Sequence, residues 1–164
     1  PASYSGNQSF KDKGFDLKIG LLKEGFFIPS LAVGLRDIAG TGEFSSEYIV
    51  ATKSIGAFDL TGGLGWGKMG LEGGIRNPLI QIHENFRTRA SNQDQGGEFN
   101  IKDWFSGQTS FFGGIEYDLR KYGLRFALEY DTSNPDKNEI PMYVKSRFNL
   151  GVNYSFSKLV FQIN

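Results

Sequence analysis

Leu124-Arg-Phe-Ala-Leu-Glu-Tyr130 and Phe148-Asn-Leu-Gly-Val-Asn-Tyr-Ser-Phe156 decide the fold class. In both runs a large apolar side chain falls on every second position. Arg125, Ala127 and Glu129 occupy the gaps of the first run; Asn149, Gly151, Asn153 and Ser155 occupy those of the second, with Arg147 one step ahead. A helix repeats near 3.6 residues and would scatter these two classes around its surface. A strand repeats at two and separates them onto opposite faces.

The same period recurs outward in both directions. Phe15, Leu17, Ile19 and Leu21 alternate with Asp16, Lys18 and Gly20, and Leu31, Val33 and Leu35 with Ala32, Gly34 and Arg36. Tyr48, Val50 and Thr52 oppose Glu47, Ala51 and Lys53. Phe58, Leu60, Leu64 and Trp66 oppose Asp59, Thr61, Gly63 and Gly65. Phe111, Ile115, Tyr117 and Leu119 oppose Gly114, Glu116 and Asp118, and a last run holds Leu159, Phe161 and Ile163. This makes eight strands and no amphipathic helix, an all-β chain.

Such alternation suits a soluble sandwich or barrel, with the apolar face as core, or a membrane barrel, with the apolar face toward lipid. The apolar face here is bulky, while the other mixes charge with Gly and Ala, as a crowded interior requires. Tyr117, Tyr130, Tyr154 and Trp66 fall toward strand ends, where membrane barrels carry aromatic girdles. The expected architecture is an antiparallel up-and-down transmembrane β-barrel, with residues 1–164 one barrel segment. The lipid of the outer membrane is then its first partner.

Composition closes other routes. Lys plus Arg and Asp plus Glu number 18 each, so no basic surplus points to nucleic acid. Cysteine is absent and His83 is the single histidine, which leaves no thiolate or histidine cluster for a metal and no serine triad. No apolar run is long enough for a transmembrane helix. Gly65-Trp-Gly-Lys-Met-Gly70 matches a dinucleotide fingerprint, but no helix is expected after it and no βαβ unit surrounds it, so it reads as glycines at a strand end. No cofactor is expected.

The connections are expected to alternate. Lys23–Phe26, Ser54–Ala57, Arg120–Gly123 and Ser157–Lys158 are short; Asp37–Phe44, Gly67–Gln108 and Thr132–Lys145 are longer. Short periplasmic turns and long external loops would place residues 1–14 outside the cell. With a last run too short to span a bilayer, this predicts an internal fragment of a larger barrel.

The polar face carries the candidate functional residues Arg36, Glu47, Lys53, Asp59, Glu116, Arg125, Glu129 and Arg147. Charges of both signs inside a barrel must pair or meet water. They form either a structural ion-pair network or a path for a hydrated polymer. Glu116 and Glu129 lack any spacing that marks a glycosidase pair, and no catalytic residue is assigned. In the long loop, Trp104 and Phe105 are placed either to stack on sugar rings or to anchor the loop against the rim.

Longer motifs carry a family resemblance. Asp12-Lys-Gly-Phe-Asp-Leu-Lys18, Leu31-Ala-Val-Gly-Leu-Arg-Asp-Ile-Ala-Gly-Thr-Gly42, Phe44-Ser-Ser-Glu-Tyr48 and Gly63-Leu-Gly-Trp-Gly67 resemble the YjbH family, also called YbjH or GfcD. Asn77-Pro78, Gly96-Gly97, Trp104-Phe105 and Phe112-Gly-Gly-Ile-Glu-Tyr117 continue it in order, over roughly residues 10–155. The resemblance implies a long outer-membrane protein with two barrels in tandem. It further implies a non-enzymatic part in exopolysaccharide or capsule secretion beside periplasmic and lipoprotein partners. A porin-like or structural barrel with an ion-paired lumen is the alternative.

Overall fold

The computed structural model describes residues 14–38, 45–71, 74–89, 101–132, 146–156 and 159–163. It contains eight strands: β1 (Phe15–Leu22), β2 (Ser30–Ile38), β3 (Ser46–Ile55), β4 (Phe58–Gly67), β5 (Ser110–Leu119), β6 (Leu124–Tyr130), β7 (Phe148–Phe156) and β8 (Leu159–Ile163). All pair antiparallel in one sheet whose spatial order is the chain order. Among the described residues there is no α-helix, only short 3-10 turns, and no ladder joins β1 to β8. Among the described residues the sheet is an open meander with β1 and β8 as its edge strands.

Glycines set the tight turns. Gly56 takes φ 64 in the two-residue Gly56-Ala57 hairpin between the paired Ile55 and Phe58. Gly123, also at φ 64, ends the 3-10 turn Arg120–Tyr122 before β6. β4 runs directly into the 3-10 turn Lys68–Gly70, so within the glycine fingerprint the strand gives way to a single short turn and not to an α-helix.

The connection between β1 and β2 departs from the expected four residues. It spans 23–29, the same length as 39–45 between β2 and β3, so short and long links do not strictly alternate. The reason is Phe26-Phe27-Ile28-Pro29: its apolar residues extend the run without pairing, and Pro29 has no N–H for the ladder. The longest link still lies at the other end, between β4 and β5. The expectations for residues 1–13, 133–145 and 157–158 fall outside the described residues.

Residues paired across a ladder share a face. The register therefore collects one apolar surface: Leu17, Val33, Ile49, Leu64, Phe111, Ile115, Leu128, Leu150 and their alternates. The opposite surface holds Asp16, Lys18, Ser30, Gly34, Thr52, Asp59, Thr61, Gly63, Glu116, Arg125 and Asn149. Trp66 is the single apolar side chain fully buried among the described residues, whereas Leu150 is 73% and Phe111 49% exposed. Apart from Trp66, no apolar side chain of this face is buried among the described residues.

Candidate functional site

The polar face is built in rows by the register. Asp59 lies opposite Glu116, and Glu129 lies between Gly114 and Asn149. Arg125, opposite Asp118, reaches two carboxylates: Nη1 donates to Glu116 Oε2 at 3.3 Å and Nη2 to Asp118 Oδ2 at 3.1 Å. Arg120 Nε sits 3.5 Å from the same Asp118 oxygen. Arg36 is exposed opposite Ser46. Arg147 stands one residue before β7, where its carbonyl accepts the Asp131 N–H at 2.9 Å.

Glu47 and Lys53 are not on this face. Glu47 pairs with Leu35 and Trp66, and Lys53 with Leu60, so both stand among the apolar positions, while Tyr48 and Val50 turn to the polar side. The β3 sequence Ser46-Glu-Tyr-Ile-Val-Ala-Thr-Lys-Ser-Ile55 has apolar residues on both parities. A one-residue choice flips every side chain, and the clear alternation of β2 and β4 makes that choice.

Each misplaced charge is neutralised where it stands. At one end of β3, Lys53 Nζ binds Glu24 Oε1 at 2.9 Å and the Gly25 carbonyl. The Lys53 ammonium, followed by the Ser54 N–H, holds the Glu24 carboxyl below its ordinary range. At the other end Glu47 is 1% exposed. Arg89 from the long loop grips it with two bonds of 2.7 and 2.9 Å, and the Phe105 N–H donates a third at 3.0 Å. A buried carboxylate persists when its oxygens are satisfied in this way.

That clasp folds the long loop back over the end of β3 and β4. The Phe105 ring meets Trp66 edge-on at 5.3 Å, and Phe105 takes φ 58, a left-handed backbone that its two contacts hold. Asn77 Nδ2 donates to the carbonyls of Phe86 and Phe105, tying three parts of the loop together. Trp104 is half-buried, and its N–H bonds Ile101 O at 3.3 Å. The contacts of Phe105 are those of an anchor. Arg87, by contrast, stays exposed and pairs with Glu84, whose carboxyl it lowers.

The polar face also holds an aromatic pair that the alternation gave no reason to single out. Tyr48 lies over Gly34 and Phe112 over Gly63, where a Cβ on either glycine would collide with the ring. The two rings meet at 6.2 Å and 84°. Its sequence signal is the recurrence of glycine at polar-face positions, which shows only once pairing with β2 and β4 turns Tyr48 to the polar side. Among the described residues no three His, Cys, Asp or Glu side chains come together as a metal site.

A family model described as the exopolysaccharide biosynthesis protein YbjH matches residues 1–163. The chain belongs to the YjbH family. It is 42% identical over 153 residues, 93% of its length, to a protein of Escherichia coli K12 named uncharacterized lipoprotein YjbH. It spans 22% of that relative's length. No solved structure matches the chain.

Proposed function

We propose that this YjbH-family chain forms part of a transmembrane β-barrel in the bacterial outer membrane, and that the barrel serves exopolysaccharide or capsule secretion without catalysing a reaction. The observation that carries the reading is the uncovered apolar face. Contiguous exposed apolar surface of this extent marks contact with a partner or with lipid. Its layout favours lipid: Phe58, Tyr117 and Tyr154 lie toward one end, Tyr130 and Phe148 toward the other beside Trp66, which the long loop covers, and Leu60, Ile115, Leu128 and Leu150 lie between. From Phe58 to Trp66 is about 27 Å along the strand, or about 21 Å of height at a 40° tilt, against an apolar band of about 25 Å.

The two charges on this face agree with the layout. Glu47 and Lys53 stand near opposite ends of β3, about 20 Å apart along the strand, each paired and clear of the middle. In lipid the free edges of β1 and β8 need strand partners, because unpaired backbone groups there cost several kcal/mol each. The polar face then lines a lumen whose charged and glycine-rich surface suits a hydrated polymer. The family's description supplies the polymer class, and periplasmic or lipoprotein partners would deliver it.

Deletion of the full-length gene tests this. Secreted exopolysaccharide should fall while polymer is retained in the cell; unchanged secretion contradicts the role. The Arg125 bridge between Glu116 and Asp118 favours a second reading, a porin-like or structural barrel with an ion-paired lumen. Single-channel recordings separate them: polymer-dependent blockades support export, and a conductance indifferent to polymer supports the alternative.

A further inference from the structure

We propose that Tyr48 and Phe112 form a saccharide-stacking corner on the polar face, a binding site for pyranose rings of the polymer; the inference rests on the secretion reading. Both rings are half-buried and sit on glycines, Gly34 and Gly63, that offer no side chain to compete for the space. A ring laid on bare backbone is supported from one side and free on the other. The 84° angle between the planes makes a floor and a wall rather than a closed stack. The π faces are electron-rich and attract the polarised C–H bonds of a sugar face, while hydroxyls at the sugar rim need polar partners.

Those partners are in register. Phe112 shares its row with Val50 and Gly63, and the next polar row holds Thr52 and Thr61, whose hydroxyls lie 3.1 Å apart. Glu116 stands four residues beyond Phe112 on the same strand face, about 13 Å away along β5. An aromatic corner, a hydroxyl row and an ion-paired patch therefore follow one another along the strands, an order suited to a chain of sugars running lengthwise.

The test uses the full-length protein in detergent micelles and oligosaccharides made by partial acid hydrolysis of the exopolysaccharide that the source bacterium secretes. Binding is read by saturation-transfer NMR and calorimetry. Tyr48→Leu and Phe112→Leu keep bulk and apolarity but remove the π face, so each should weaken binding about tenfold. Tyr48→Phe keeps the ring and should bind within about twofold of the parent. Heat-modifiable mobility on gels confirms that each variant is folded. Leucine variants that fold and bind as tightly as the parent overturn the corner while leaving polymer export standing. A parent protein that binds none of these oligosaccharides also overturns it, and the deletion phenotype then judges the export reading separately.

Discussion

Arg89 and Glu47, forty-two residues apart, are joined by two parallel hydrogen bonds of 2.7 and 2.9 Å that fasten the long loop to β3. Removing the arginine leaves a carboxylate buried without its counter-charge. Arg89→Ala should therefore destabilise the clasped end by about 3 kcal/mol, seen as a lowered urea midpoint and faster proteolysis of the loop. Replacing both residues by leucine should recover most of the loss, since a packed apolar pair of similar volume often matches a buried ion pair.

The same clasp sorts the trypsin sites of the loop. Arg87 is exposed and Arg89 is engaged, so limited digestion should cut after Arg87 before Arg89. On intact cells that cut should appear without opening the outer membrane, because the longest link is expected outside. Cleavage only after permeabilisation would invert the topology.

Gly67 connects β4 to this loop with φ 64, and a Cβ there would meet the Ser45 carbonyl oxygen at 2.5 Å. Gly67→Ala should cost about 1–3 kcal/mol for the backbone alone, because φ 64 with ψ −133 is a conformation open essentially to glycine. Gly20, with open space around it, should accept alanine with little change. Paired denaturation midpoints check the contrast.

The ion pair at the opposite end has a defined pH window. Glu24 in the folded chain titrates below the ordinary 4.5 because Lys53 and the Ser54 N–H bind its ionised form. Its stabilisation is complete above that ordinary value and is lost as pH falls through the lower folded value. Lys53→Met should move the Glu24 carboxyl resonance midpoint upward in a carbon-13 NMR titration. An unmoved midpoint would deny the contact.

The strand count and order were legible in the sequence because alternation is a local signal, strongest in β6 and β7 where each parity has one character. The face of β3 was not, because Tyr48 and Val50 compete with Ile49 and Ala51 and only pairing with β2 and β4 resolves them. Read on its own, the alternation of β3 therefore groups Glu47 and Lys53 with the polar residues, and only the ladder separates them. The Arg89 clasp was illegible for a different reason: it joins a loop to a strand forty-two residues away, and no periodicity records such a contact. The seven-residue 23–29 link is hidden in the sequence because its apolar residues beyond β1 resemble strand continuation.

The lipid-facing assignment meets its most direct test in nitroxide labels placed singly at positions 124–130 and 148–154 of the full-length protein in bilayers. The account predicts alternation in phase across the two strands. Even positions, including Leu128 and Leu150, should be relaxed by oxygen dissolved in the lipid, and odd positions, including Arg125 and Gly151, by a water-soluble nickel chelate. Even positions open to the chelate and closed to oxygen would place the apolar face away from lipid and contradict the membrane barrel.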